Sequence, residues 1–259
     1  MTADAHIHLG DLLERDPGFP ERLAGSGWTC CAASHDEGEW RTVEALRGRL
    51  PPFVSSFGIH PQWAVWQNAD FLARLCEQGR LAAIGEAGFD FFGDRPERVR
   101  NPENEAAQRA AFEYQLELAE RFGLAILLHL RKATDLAFAY APRLRRLRAA
   151  VFHSYSGTAG EAEALLAKGV NAYFSFGSAI LNGHKRAIAA CASAPAERLL
   201  AETDAPWQPP RGSAFCRPEH LGAVLEGMAR LRGMAAEAIA ELTSAGFAAA
   251  YGLQGAEGA

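Results

Sequence analysis

Short apolar segments recur along the chain, each followed by a polar or glycine-containing loop, and their lengths are those of buried strands. Longer segments rich in Ala, Leu, Glu and Arg lie between them and predict helices. The predicted strands cover residues 3–7, 28–33, 53–58, 82–85, 125–130, 149–153, 171–174 and 199–201. The predicted helices include residues 71–78, 105–121, 136–147, 159–167 and 184–194.

The segment 105–121 shows the helical pattern most clearly, because Ala111, Phe112, Leu116 and Ala119 fall near helical spacing with charged residues opposite. Glycines stand where helix C-caps are expected, at Gly79, Gly123 and Gly169. Residues 220–253 predict two more helices, and 254–259 a frayed end.

Strand and helix alternate with short connections, which predicts a parallel sheet. Eight such units favour a closed barrel over an open doubly wound sheet, and a barrel of this kind needs roughly 250 residues. The chain has 259 residues and no low-complexity linker. We therefore expect one α/β domain over residues 1–259, a TIM (β/α)8 barrel.

Net charge, cysteine content and the length of apolar runs limit the possible binding partners and cellular location. The net charge of −5 and the pI of about 5.9 argue against long-range capture of nucleic acid by a basic surface, although a local phosphate site remains compatible. Five cysteines without a Cys-x-x-Cys pair predict free thiols in a reducing compartment. The N-terminus does not read as a signal peptide, and the longest apolar run, 124–128, is too short to span a membrane. We expect a cytoplasmic monomer without membrane contact.

Polar residues cluster where the predicted strands end, which is where a barrel of this kind carries its active site. Five of the eight histidines and two carboxylates fall there. The residues in question are His6, His8, His60, Glu86, His129, His153 and Asp204. Packing does not explain why apolar strands end repeatedly in potential ligands.

Neutral imidazoles and carboxylates together suit zinc, manganese or magnesium. We predict one ion at His6, His8 and Asp204 and a second at His129 and His153, with Glu86 bridging the two. Such a pair of ions would activate a shared water molecule. Asp204 would accept the proton of that water and pass it to the leaving group.

Two of these residues have simpler alternatives. Asp204 precedes Ala205 and Pro206 and could be the N-cap of a helix. Glu86 could be an ion-pair partner of a basic residue. We expect His60 near the site, on a phosphate oxygen and not on metal. The remaining histidines, His35, His184 and His220, lack a supporting pattern and are interpreted as ordinary surface or loop residues.

These segments resemble the TatD family of metal-dependent hydrolases, within the amidohydrolase superfamily. Six segments carry the resemblance in order along the chain: residues 4–9, 58–61, 84–90, 129–131, 152–157 and 200–206. The resemblance implies a TIM barrel and two divalent ions. By position it implies the same six metal ligands: His6, His8, Glu86, His129, His153 and Asp204.

The family is best known for magnesium-dependent deoxyribonuclease activity, so single-stranded or frayed DNA is the expected substrate. Arg131 is a plausible phosphate clamp. Aromatic residues in the predicted loops could stack unpaired bases or simply pack the loops: Trp63, Trp66, Phe89, Phe91, Phe92, Tyr155 and Trp207. We place the basic run 143–148 at the opposite, N-terminal face of the barrel, away from substrate.

The sequence departs from the family pattern in three places. Lys132 stands where Asp is common, the loop 211–218 lacks the usual Asn-Glu before its proline, and Gly246 stands where Asn is usual. None of these positions is a predicted ligand. Two alternatives to the nuclease are hydrolysis of a small-molecule amide or ester and a non-catalytic barrel, and the complete ligand set argues against the latter.

Overall fold

The computed structural model describes residues 2–63 and 66–253, which form an eight-stranded parallel sheet. Its strands follow one another in chain order. They are β1 (Thr2–Ile7), β2 (Trp28–Ser34), β3 (Val54–Phe57), β4 (Ala83–Asp90), β5 (Ala125–Arg131), β6 (Ala150–Phe152), β7 (Ala172–Phe176) and β8 (Leu199–Ala201). The predicted strands are confirmed, except that β4 continues five residues past its predicted end.

The two edges of the sheet meet just beyond β8. The Asp204 N–H donates to the His6 carbonyl at 3.0 Å, and the His8 N–H donates to the Ala205 carbonyl at 2.9 Å. The sheet is therefore a nearly closed barrel, and the predicted TIM fold is confirmed.

Helices connect the strands around the outside. They are α1 (Leu9–Arg15), α2 (Phe19–Leu23), α3 (Glu37–Ala45), α4 (Ala69–Glu77), α5 (Pro102–Phe122), α6 (Thr134–Leu144), α7 (Ala159–Ala167), α8 (Ser178–Leu181), α9 (Lys185–Ser193), α10 (His220–Arg232) and α11 (Ala236–Tyr251). The five predicted segments and the two predicted C-terminal helices are confirmed. The expectation for 254–259 lies outside the described residues.

Local sequence explains where the longest helix begins and ends. The Asn101 side chain accepts the Asn104 N–H at 2.8 Å, and Pro102 occupies the first turn, where its missing N–H costs nothing. Gly123 ends the helix with a left-handed φ of 63°. None of the described helices is long and apolar enough to cross a bilayer.

Mostly small side chains line the barrel interior near the N-terminal ends of the strands, and α11 closes that end. Phe247 and Tyr251 pack against buried Ala3, Ala5 and Leu200, and the Tyr251 hydroxyl donates to the Ala5 carbonyl at 2.7 Å. This plug leaves the other end, where the strands finish, as the open mouth of the barrel.

Three glycines let β3, β4 and β5 approach closely beside the mouth. A Cβ atom at Gly58 would lie 2.7 Å from the Gly85 backbone. One at Gly85 would lie 2.5 Å from the Leu127 carbonyl, and one at Gly88 would lie 2.3 Å from the His129 carbonyl. Only glycine fits at these positions without moving backbone.

Candidate metal centre

Glu86 lies at the centre of the mouth, on the extended part of β4, and is 2% exposed. Its Oε1 atom lies 3.1 Å from His129 Nδ1 and 3.0 Å from His153 Nε2. Its Oε2 atom lies 3.3 Å from His8 Nε2 and 3.5 Å from His6 Nε2. Each carboxylate oxygen thus faces a different histidine pair, as a bridging ligand would.

Asp204 completes the His6 and His8 side. Its Oδ1 atom lies 3.3 Å from His6 Nε2 and 3.4 Å from His8 Nε2. Asp204 has a left-handed φ of 56°, and the next long helix, α10, begins only at His220. Asp204 therefore caps no helix, and that alternative is wrong.

His129 is oriented by a carboxylate behind it. Its Nε2 atom lies 2.9 Å from Asp90 Oδ2. Arg98 holds the same carboxylate by donating to Oδ1 at 3.0 Å and to Oδ2 at 2.7 Å. In the tautomer that donates from Nε2 to Asp90, the Nδ1 lone pair is directed toward Glu86, as metal binding requires. Carboxylates behind imidazoles are typical of metal-ligating histidines.

His153 has a looser version of the same support. Its Nδ1 atom lies 3.5 Å from Glu202 Oε1, which accepts the Ser154 N–H at 2.7 Å. Sequence analysis located Asp90 in its motif but gave it no role, and it overlooked Glu202 as a ligand support. Both residues lie at strand ends, and that position was the sequence signal that could have identified them as part of the site.

The electrostatics of the cluster favour ionised carboxylates. Burial opposes the charge on Glu86, but His6 and His153 outweigh it, and the pKa of Glu86 lies well below its ordinary value. Burial likewise opposes the charge on Asp204, whereas hydrogen bonds from His6 and His8 lower its pKa. The centre therefore presents two carboxylates among imidazoles.

This donor set fits divalent ions. His129 Nδ1 lies 3.1 Å from Glu86 Oε1 and 3.3 Å from His153 Nε2, so potential ligand atoms of three side chains converge here. Compatible three-ligand groups include His6 with His8 and Asp204, and His6 with Glu86 and His153.

His60 borders the cluster with the opposite polarity. Its Nδ1 atom accepts the Gln62 N–H at 3.1 Å, so the proton resides on Nε2, which lies 3.6 Å from Glu86 Oε1. Burial lowers the pKa of His60 to about 3, and the ring is neutral at physiological pH. It presents a donor to the site, and its place on a phosphate oxygen stays a prediction.

Arg131 lies at the end of β5, exposed at the rim of the mouth. Its guanidinium stacks on the Phe92 ring, 4.0 Å from the centroid. Lys132, one of the three departures from the family pattern, donates to the Phe92 carbonyl at 2.8 Å and has a φ of 54°. Three cationic side chains thus lie over the Phe92 ring: Arg131, Lys132 and Arg98.

The interpretation of His35 as an ordinary surface or loop residue is wrong. Its side chain is 16% exposed, and its Nε2 atom lies 3.1 Å from Glu86 Oε2. Six of the eight histidines therefore lie within 3.6 Å of the Glu86 carboxylate. His35 directly follows β2, so the strand-end rule applied to it as well. His184 is exposed, as predicted.

The aromatic residues divide into two sets. Phe89, Phe91 and Tyr155 are buried, and Phe89, within β4, packs against Phe112 of α5 and Tyr140 of α6. The exposed members are Trp63, Trp66, Phe92 and Trp207, each between 42% and 55% exposed and each in a loop that follows a strand. The basic run 143–148 connects the end of α6 to β6 and lies at the opposite end of the barrel, as predicted.

A family model described as TatD related DNase matches residues 3–252. The chain belongs to the TatD family. A 3'-5' ssDNA/RNA exonuclease TatD of Erwinia tasmaniensis is 34% identical over 73% of this chain and 74% of that enzyme. One from a Pantoea species is 38% identical, and the match spans only 59% of its length.

Solved structures agree with this assignment. The TatD homologue YJJV of Escherichia coli is 25% identical, with a TM-score of 0.84 over 98% of both chains. A TatD family hydrolase of Entamoeba histolytica, 17% identical with a TM-score of 0.75, shares the fold. This chain is a metal-dependent hydrolase of the TatD type, and hydrolysis of a small amide or ester is not favoured.

Proposed function

We propose that the chain is a two-metal deoxyribonuclease that hydrolyses phosphodiester bonds in single-stranded or frayed DNA. The observation that carries this proposal is the position of the Glu86 carboxylate, whose Oε1 atom faces the predicted ligands His129 and His153 and whose Oε2 atom faces His6 and His8. We assign one ion to His6, His8 and Asp204 and the other to His129 and His153. The relatives described as 3'-5' ssDNA/RNA exonucleases support nucleic acid as the substrate.

The bound ions would activate a water molecule and balance the charge on the attacked phosphate. Asp204 accepts the proton of the attacking water and returns it to the leaving oxygen. His60 donates its Nε2–H to a phosphate oxygen, and Arg131 binds a neighbouring phosphate. The exposed aromatic side chains offer flat surfaces for unpaired bases. The ion identity is proposed as Mg, Mn or Zn, which this ligand set accepts.

We further propose a cytoplasmic location, which the five free and buried cysteines support.

The test uses metal-stripped protein and a short single-stranded DNA labelled at either end. Magnesium, manganese and zinc are added back separately, to wild type and to Asp204→Asn. We expect cleavage that depends on added metal and falls by about a hundredfold or more in the variant, because a ligand and the proton acceptor are weakened.

Near-normal turnover by Asp204→Asn would remove the assigned role. Tight binding of two ions without cleavage of any DNA would contradict the nuclease and redirect the search to small esters and amides.

A further inference from the structure

The six-ligand set leaves two histidines of the cluster unused: His60, which is assigned to a phosphate oxygen, and His35, which has no assigned role. His35 follows Ser34, the last residue of β2, and so occupies the same kind of position as the predicted ligands. Its Nε2 atom points inward and lies 3.1 Å from Glu86 Oε2. The side chain is 16% exposed, so it faces the centre more than the solvent.

The ring is fixed from behind by the start of α3. Glu39 Oε2 accepts the backbone N–H of His35 at 2.6 Å and lies 3.5 Å from its Nδ1 atom. Asp36 caps the helix by accepting the Glu39 N–H at 2.9 Å, and Asn68 donates to the His35 carbonyl at 2.7 Å. Glu39 can accept a hydrogen bond from Nδ1, and in that tautomer the Nε2 lone pair is directed toward Glu86, as metal binding requires.

This arrangement matches the ligand histidines and differs from His60. Asp90 stands behind His129 and Glu202 stands behind His153, as Glu39 stands behind His35. His60 instead accepts a backbone N–H on its outer nitrogen and presents a proton to the site. A carboxylate behind the ring is the support that metal-ligating histidines usually have.

We propose that His35 is a further metal ligand, and that His8, His35 and Glu86 form an outer position for a divalent cation. The ligand atoms of these three residues lie within 4.8 Å of one another. The proposal extends the two-ion centre proposed above. His8 also borders the inner position with His6 and Asp204, and one imidazole nitrogen binds one ion. The ion on the His8 side of Glu86 (this half of the centre) therefore occupies either the inner position or the outer position, but not both.

Two imidazoles and one carboxylate make the outer position suited to zinc, manganese or cobalt rather than magnesium. It also has no need of Asp204. A chain that has lost the Asp204 carboxylate therefore retains a place for the ion in this half of the centre, and His35 is the residue on which that retention depends.

The experiment measures zinc per chain after equilibrium dialysis, with no substrate and no activity readout. Wild type and Asp204→Asn are each expected to hold two zinc ions, the second using the outer position in the variant. Asp204→Asn combined with His35→Ala is expected to hold one. The matched control combines Asp204→Asn with His60→Ala and is expected to hold two, because His60 presents a proton.

Glu39→Gln in the Asp204→Asn background provides a second variant that leaves the ring in place. Its weaker acceptor is expected to lower zinc affinity in this half by about ten- to a hundredfold. Thermal melting followed by circular dichroism establishes that each variant is folded.

Two results would overturn the outer position: loss of the second ion in Asp204→Asn alone, or retention of both ions when His35 is also removed. Either can occur in a chain whose wild type binds two ions and cleaves DNA, in which case the proposed function stands. A wild-type chain that binds no zinc, manganese or magnesium contradicts both proposals.

Discussion

At the N-terminal end of the barrel, arginines pair with single carboxylates near the surface, as Arg143 does with Glu120 at 2.6 Å. At the C-terminal end, one buried carboxylate, Glu86, is shared by six histidines. Exposed pairs are screened by water and contribute little to stability. A buried carboxylate such as Glu86 is costly unless nearby positive charge and hydrogen bonds compensate for its lost hydration. We therefore expect substitutions of the exposed ion pairs to have small effects and substitutions of Glu86 to abolish most of the activity.

The largest expected effect comes from Glu86→Gln. The amide removes the bridging charge, and we expect kcat on single-stranded DNA to fall on the order of a thousandfold. Bound zinc, measured by dialysis, should fall with it.

The matched control at the other end is Glu44→Gln. Glu44 pairs with Arg47 and Arg80 at the end of α3, and its side chain is partly exposed. We expect unchanged kcat and a change in unfolding free energy within about 1 kcal/mol. Equal losses of activity in Glu86→Gln and Glu44→Gln would contradict the claim that only the C-terminal end of the barrel carries catalytic charges.

Arg131→Ala should raise the Michaelis constant for single-stranded DNA about tenfold, because a charge-assisted bond to phosphate is lost, while zinc content stays unchanged. Arg146→Ala, an exposed arginine at the opposite end, is the control and should leave the constant unaltered. An unchanged constant in Arg131→Ala would remove Arg131 from the phosphate site.

Trp63→Ala tests the exposed aromatic residues. The Trp63 ring lies 5.5 Å from the His60 ring and is 55% exposed, so a base at the scissile end could stack on it. We expect the Michaelis constant to rise about fivefold for ordinary single-stranded DNA. The control substrate has an abasic residue at that end, and an equal rise with it would argue against stacking.

The smallest effect on rate is expected from Gly246→Ala. An added Cβ would lie 2.9 Å from the Leu199 carbonyl, where α11 packs against β8, so we expect a loss of about 1–3 kcal/mol in unfolding free energy with kcat unchanged. Gly222→Ala, in open space on α10, should be neutral or slightly stabilising. Equal denaturation midpoints for the two variants would contradict the close contact.

The fold was predictable because apolar runs and helical spacing report local structure directly. The end of β4 was not, since the segment from Glu86 to Asp90 mixes charged residues with glycine and so resembles a loop. Buried in the mouth, Glu86 faces histidines and Asp90 faces Arg98, and these partners allow a charged strand. Because these partners are distant in sequence from β4, the local sequence of β4 does not reveal that the strand continues.

The six predicted ligands were found from strand ends and from the family resemblance, and the structure brings them together around Glu86. Their assignment to metal stays a prediction until ions are measured. His35 was missed because the predicted strand ended at residue 33, two positions before it, and because its support, Glu39, belongs to the following helix and is recognised only in three dimensions. The supporting roles of Asp90 and Glu202 were hidden for the same reason.

The close approach of β3, β4 and β5 has a consequence for laboratory evolution of this scaffold. Gly58, Gly85 and Gly88 tolerate no side chain, so codons at these three positions belong outside any mutagenesis library. The rim positions Phe92 and Arg131 are exposed and contact neither Glu86 nor the glycines, which makes them the places to diversify. A library built this way would search substrate preference while holding the catalytic geometry constant.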